Sequence, residues 1–492
     1  MRSALRSALM LLPAISALLA TGCAGGDDDT VPIAIVGSPG APFENGGRLS
    51  MAGKLVRGAT FEGLTGFDEE GRVVPALADR WIITDDGLSY IFRLRDGTWT
   101  DGSPLTAVSA RTALRKALAD IKGTPLANDL SAISEIRAMA GRVVELRLSY
   151  RHPDLLQLLA QPELGLSNQG VGAGPMSLAR DGNLAMLTPI PPGSRGLPKE
   201  EGWKERARTL LIAASPMEQA VEDLRAGKTS LVMGGSGADY PLAGRVGIAH
   251  GVVRIDPVSG LFGFAVVRAT GFLSESANRE AIAMAINRDA LGRALDIRGW
   301  TPSTRIVSIG MEGDLGTIGE RWSQLDLDER RAIATARVTR WRDSGNPVPV
   351  LRIAMPKGPG ADAIFVQLQD DLQFIGIDAR RVAESADAEL RMVDAVARYP
   401  RASWFVGQFA CSLDRGLCSA EADRLAAEAR RAPDGASRAA LLAEAEAELT
   451  AANVFIPLGP PVRWSAMRRD VTGFSVNRWG VHPLMPLAML PK

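Results

Sequence analysis

The stretch that decides the fold runs from Phe61 to Ala107: Phe61-Glu-Gly-Leu64, Val74-Pro-Ala-Leu-Ala-Asp-Arg-Trp81, Asp86-Gly-Leu88, Tyr90-Ile-Phe-Arg-Leu-Arg95 and Trp99-Thr-Asp-Gly-Ser-Pro-Leu-Thr-Ala107. Turn chemistry punctuates it at Phe67-Asp-Glu-Glu-Gly71, Thr84-Asp-Asp-Gly87, Asp96-Gly97 and Asp101-Gly102, where Asp and Gly supply side-chain hydrogen bonds and positive φ. Between the turns, residues 90–95 alternate as a half-buried strand does, residues 105–118 read as a helix, and residues 142–148 alternate again. The stretch is therefore a small α+β unit. Pro75, Trp81, Phe92, Leu94 and Trp99 are large or stiff residues expected to fill its core.

Outward from this unit the pattern changes. Residues 31–36 form a compact, β-branched apolar run that reads as a buried strand, and residues 40–47 read as a loop. Residues 170–187 are strand-rich, 210–213 strand-like and 217–226 helical. Residues 277–291 read as an amphipathic helix with Ile282, Ala285, Ile286 and Ala290 on one face. Residues 348–354 are expected as a strand and 361–374 as a helix. Two Ala/Glu/Arg helices, 420–431 and 437–451, are separated by Pro433-Asp434-Gly435, with Ser437 as the expected cap of the second. Helices alternating with strands in this half indicate an α/β lobe.

Composition limits the chemistry. In 492 residues, 56 basic and 56 acidic side chains balance, which argues against general nucleic-acid binding, since a phosphate backbone selects a basic face. The three histidines (His152, His250, His482) and three cysteines (Cys23, Cys411, Cys418) are scattered, so no His/Cys metal centre, and no cofactor, is expected. Catalytic templates are absent too. Ala226-Gly227-Lys228-Thr229 imitates the end of a phosphate loop, but Glu222 stands where that loop needs glycine. Gly170-Val-Gly-Ala-Gly174 lacks dinucleotide spacing, and the pairs Asp85-Asp86 and Glu69-Glu70 sit in turns where carboxylates are solvated. The reading is of a chain that is not an enzyme.

At the start of the chain, Arg2 and Arg6 precede an apolar run over residues 8–20 and the small-residue site Ala20-Thr-Gly-Cys23. This reads as an export signal over residues 1–22, too short for a permanent span. The site resembles the lipobox of bacterial lipoproteins, which implies a lipidated Cys23, a flexible tether over residues 23–30 and a protein held at the cell-envelope membrane in the periplasm. In an oxidising compartment Cys411 and Cys418 are expected as a disulfide.

The blocks quoted first, together with Asn278-Arg-Glu-Ala-Ile-Ala-Met-Ala-Ile-Asn-Arg-Asp-Ala-Leu291, the Gln-Leu-x-x-x-Leu-x-x-Ile-Gly-Ile pattern at residues 367–377, Gly172-Ala-Gly-Pro175 and Phe455-Ile-Pro-Leu458, resemble the bacterial extracellular solute-binding proteins of family 5, the peptide- and nickel-binding group of ABC importers. The resemblance implies an α/β, two-lobed periplasmic-binding-protein-like (type II) fold with an extra α+β domain inserted in the first lobe. The implied divisions are first lobe 31–66, 165–268 and 465–492, inserted domain 67–164, and second lobe 269–464. It further implies a monomer that captures a peptide-like or other small solute between its lobes and delivers it to permease subunits; a sensor or scaffold of the envelope is the alternative. Peptide binders of the family carry, after a Trp in the second lobe, an Asp that holds the peptide ammonium. Here Trp404-Phe-Val-Gly-Gln-Phe409 places Gly407 or Gln408 at that position, and Asp414 follows only inside the cysteine loop, so an ordinary free-amine peptide loses its partner. Trp404, Gln408 and Phe409 are the residues expected in the cleft, with Phe43 as a further candidate and Tyr240, Gly234, Gly235 and Gly237 as hinge or cleft positions.

Overall fold

A computed structural model of the chain describes residues 29–297, 299–316 and 322–491. The signal, Cys23 and most of the tether lie outside these residues. Four sheets organise the rest.

The first large sheet has seven strands in the order Val252–Ile255, Arg463–Met467, Leu231–Ser236, Thr30–Val36, Thr209–Ser215, Leu184–Pro189, Met176–Asp181. Thr30–Val36 is central and runs parallel to both neighbours, which is why its sequence is a continuous apolar run rather than an alternation. The second sheet has five strands in the order Asp378–Ala383, Val350–Met355, Leu390–Val396, Gly260–Val266, Phe455–Gly459. Helices Ser276–Ala285, Leu327–Asp343 and Pro359–Phe374 pack on one face of it through Phe262, Phe264, Ile353, Ile364 and Leu368. Together these sheets form the two lobes.

The inserted α+β unit is an antiparallel sheet, Ala78–Ile83, Ser89–Leu94, Val143–Leu148, Ile133–Met139 in spatial order, covered by helix Ala107–Asp120. A separate two-stranded ribbon, Thr65–Phe67 with Val73–Pro75, leads into it. Phe92, Leu94 and Trp99 are buried in its core, whereas Trp81 is half-buried and Pro75 is exposed at the end of the ribbon. The Thr84–Gly87 turn closes with a 2.7 Å bond from the Gly87 N–H to the Thr84 carbonyl, with Gly87 at φ 67°. Its core is continuous with that beneath helices Ala402–Gly407, Ala420–Arg431 and Gly435–Ala452, so the insert is packed against the second lobe.

Three expectations are corrected. The helix over 277–291 is two helices, Ser276–Ala285 and Arg288–Leu295. The Asn287 side chain caps the second by accepting from the Ala290 N–H at 3.0 Å, while the Asn287 backbone N–H donates to Asp371, 84 residues away, at 2.9 Å; these side-chain acceptors break the helix. The cap of the last helix is Asp434, which accepts from the Ser437 N–H at 2.8 Å, so the helix starts two residues earlier than Ser437 suggests. Strand Gly260–Val266 belongs to the second sheet, so the chain crosses between sheets before residue 260 rather than after 268.

Candidate functional site

Two chain crossings join the lobes: residues 256–259 between Val252–Ile255 and Gly260–Val266, and residues 460–462 between Phe455–Gly459 and Arg463–Met467. Few crossings and short connectors are the geometry of a hinge. Polar bonds fasten it. Arg463 Nη1 donates to Asp394 Oδ1 at 2.7 Å and Nη2 to the Asp394 carbonyl at 3.1 Å, tying the first sheet to the end of strand Leu390–Val396. Asp256, in the first crossing, accepts from the Asn477 N–H at 2.9 Å and lies 3.2 Å from His482 Nε2. His482 is thus a buried partner of the connector.

Beside the hinge the lobes touch directly. The Gly360 N–H, at the start of helix Pro359–Phe374, donates to the Ala238 carbonyl at 2.7 Å. A Cβ on Gly360 would stand 2.1 Å from the Gly237 carbonyl oxygen, so only glycine permits this approach. Trp464 donates its indole N–H to Ser236 at 3.1 Å, Tyr240 meets the Trp464 ring edge-on, and Gly235 packs against its face. Burial raises the Asp239 carboxyl, opposed by the Ser236 hydroxyl and reinforced by the Asp394 charge. Tyr240, Gly235 and Gly237 therefore stand at the junction of the lobes.

The other face of the second sheet carries a groove. Its floor is Leu261, Ala265, Val393 and Ala395, and the segment 408–418 folds over it with Gln408, Phe409, Arg415 and Leu417. Strand alternation puts Arg391, Val393 and Ala395 on this same face. The groove is shallow, with a cavity volume of about 70 Å³. The segment is pinned at several points: Cys411 and Cys418 form a disulfide, the Cys411 N–H donates to Asp423 at 2.9 Å, and the Leu417 N–H donates to the Val266 carbonyl at 2.8 Å. Phe409 packs on Phe455 with ring centres 5.3 Å apart.

The four residues read from sequence as cleft candidates separate in space. Gln408 and Phe409 line the groove. Trp404, one helical turn before Gln408, is 1% exposed and packed edge-on against Phe405 in the core beneath the inserted domain. Its carbonyl accepts from the Gln408 side-chain amide at 3.1 Å, and its own indole N–H is buried without a partner among the described residues. Phe43 lies against the core of the seven-stranded sheet, covered by the Arg180 guanidinium at 4.1 Å. Asp414 is exposed at the tip of the disulfide loop in a left-handed conformation. Arg391, Arg415 and the Asp394–Arg463 pair were not singled out by sequence. The alternation of residues 390–396 is the signal that marks Arg391; nothing local marks Arg415.

A second concavity lies between the inserted domain and the second lobe, lined by Asp129, Tyr150, His152, Asp154, Tyr399 and Arg401 among others. Arg401 and Asp154 form an ion pair across it. Burial pushes Asp129 up to about 7, against the pull of Arg398 and the Tyr399 hydroxyl. Burial also drags His152 down to about 4, with Arg401 adding to the effect. Among the described residues no group of His, Cys, Asp and Glu has the clustering to hold a metal, and no helix is long and apolar enough to cross a membrane.

Residues 72–188 match the family described as bacterial extracellular solute-binding proteins, family 5 Middle. Among curated proteins the chain is similar to the probable deoxycholate-binding periplasmic protein YgiS of Escherichia coli K12, 36% identical over 122 residues (21% of this chain and 23% of that protein). It is also 26% identical over 162 residues to the glutathione-binding protein GsiB of the same organism (33% of this chain and 31% of that protein). The matched stretches thus span less than a third of those relatives. Structural similarity reaches further: OppA of Haemophilus influenzae, solved with the peptide RPPGFSPFR, superposes with a TM-score of 0.80 at 18% identity, covering 94% of this chain and 99% of that one. In sequence, the middle segment of the chain matches the family 5 solute-binding proteins, and in fold the chain is similar to OppA over nearly its whole length.

Proposed function

We propose that this protein is the solute-capturing component of an ABC importer: it closes two lobes on a small solute outside the cytoplasm and presents it to permease subunits, without making or breaking a bond. The observation that carries the reading is the hinge. Two short crossings join two separately cored sheets, and the second sheet carries a groove on the face opposite its covering helices. Such a build favours rigid-body closure, because each lobe keeps its own packing while only the connectors change dihedral angles. In this reading the seven-stranded and five-stranded sheets are the gripping lobes, and the unit spanning Ala78–Ile83 to Val143–Leu148 is the insert. The protein works as a monomer, held at the envelope through a lipid on Cys23 after removal of residues 1–22. Deoxycholate and glutathione, named for the two relatives, are the first solutes to test here.

Native mass spectrometry of the protein purified gently from its host tests the reading, paired with small-angle X-ray scattering. A co-purifying small molecule whose removal increases the radius of gyration supports solute capture. A bare protein whose melting temperature ignores deoxycholate, glutathione and a peptide panel overturns it.

A further inference from the structure

The groove over the second sheet combines an apolar floor with two arginines and no acidic side chain. Arg391 is committed to the backbone: it donates to the carbonyls of Glu384 and Ala386. Arg415 is different. Among the described residues it forms no hydrogen bond, ion pair or ring contact, and the charges it feels are those of Arg398 and Arg48. Arg398 already faces Asp129 at 3.3 Å, and Arg48 donates to the Gly123 carbonyl at 3.3 Å. Arg415 follows Asp414 in sequence, but Asp414 is exposed and does not line the groove.

A guanidinium held over an apolar floor, with like charges as its electrostatic neighbours, lacks the anion it is built to grip. Its own acid–base balance agrees: burial lowers the Arg415 guanidinium, and Arg398 and Arg48 lower it further. An inorganic anion would leave Leu261, Val393, Ala395 and Phe409 unused, whereas a neutral or cationic solute would leave Arg415 uncompensated. We propose that this groove selects an amphipathic carboxylate, its apolar body on Leu261, Val393, Ala395 and Phe409 and its carboxylate on Arg415. The Gln408 side chain stands at the same wall. This rests on the solute-capture reading above and narrows it to one class of solute. It also agrees with the missing acidic partner after Trp404: the groove offers a cation where a peptide ammonium would need an anion.

The test compares two probes that differ only in the charged group, N-acetylphenylalanine and N-acetylphenylalanine amide, titrated calorimetrically into the full chain. The acid is expected to bind at least about tenfold more tightly than the amide, the size of effect one charge-assisted hydrogen bond supplies. Arg415→Gln should erase that difference, and Arg415→Lys should keep most of it. Equal affinity for acid and amide, or an acid preference that survives Arg415→Gln, overturns the proposal. So does a failure of both probes to bind. Scattering separates this from the broader reading. Amide binding that closes the lobes leaves solute capture standing without the anionic preference. Acid binding through Arg415 with no change in radius of gyration supports the groove's selectivity and counts against capture by closure.

Discussion

Asp129 and His152 show how single buried groups fasten the inserted domain to the second lobe. The Tyr399 hydroxyl donates to Asp129 Oδ1 at 3.2 Å and Arg398 Nη1 to Oδ2 at 3.3 Å, while the His152 ring meets Tyr399 edge-on at 5.5 Å. Asp154 and Arg401 complete the charged surroundings. The two titrations oppose each other. Asp129, raised to about 7, makes a contribution that is full below the usual carboxylate range and lost as pH rises through 7. His152, lowered to about 4, makes one that is full above the usual imidazole value near 6.5 and lost as pH falls toward 4. Between pH 6.5 and 4.5 the gain at Asp129 offsets the loss at His152, so this interface should be nearly insensitive to pH in the native protein. Asp129→Asn removes one side of the balance. Its stability should then fall by roughly 2 kcal/mol over that range, read from urea midpoints at several pH values; a profile parallel to the native protein's rejects the assignment.

At the scale of elements, the segment 408–418 is the one whose conformation depends on a covalent link. Local bonds within it are few, and its apolar side chains, Phe409 and Leu417, reach the core only as partly buried neighbours. The Cys411–Cys418 disulfide closes a short loop, which restricts the unfolded chain and stabilises by roughly 2–3 kcal/mol in the chain-entropy view. Replacing both cysteines with serine should lower the unfolding free energy by that amount, read as a fall in the urea midpoint. An unchanged midpoint would mean that the Val266 and Asp423 bonds alone hold the segment. The preceding helix, Ala402–Gly407, explains why Trp404 misleads when read from sequence: an aromatic-rich run of six residues suits a cleft wall and a core helix equally, and Trp404 and Phe405 both turn inward.

For the molecule as a whole, the contact between Gly360 and the turn at Gly237 and Ala238 is where lobe meets lobe without a side chain between them. Gly360→Ala should prise helix Pro359–Phe374 from that turn, leave each lobe's own core intact, and bias the hinge open. The expected result is a larger radius of gyration with unchanged far-ultraviolet circular dichroism, together with solute affinity lowered about tenfold, the factor that 1.4 kcal/mol of opening bias imposes. An unchanged radius would place the closing motion elsewhere. The same scale explains the misplaced boundary. Strand Gly260–Val266 is apolar throughout and pairs on both sides, so its composition suits the interior of either lobe, and only its partners Leu390–Val396 and Phe455–Gly459 assign it to the second.

The sequence by itself determined what local chemistry can determine. Turn residues and alternation between Phe61 and Ala107 specify the α+β unit, the apolar run ending at Val36 specifies a buried strand, and the scattered histidines and cysteines weigh against a metal centre. Gln408 and Phe409 read as cleft candidates because an aromatic beside an amide suits a mostly apolar site, and the fold places both on the wall of one groove. What only the tertiary structure decided depends on partners distant in the chain. The Asp394–Arg463 tie spans 69 residues, the Arg398 and Arg48 charges around Arg415 come from separate segments, and the burial that shifts Asp129 and His152 arises where the second lobe covers the insert. An exposed-looking arginine in a loop carries no mark of its surroundings, since charge pairing and desolvation are properties of packed neighbours rather than of the residues beside it in sequence.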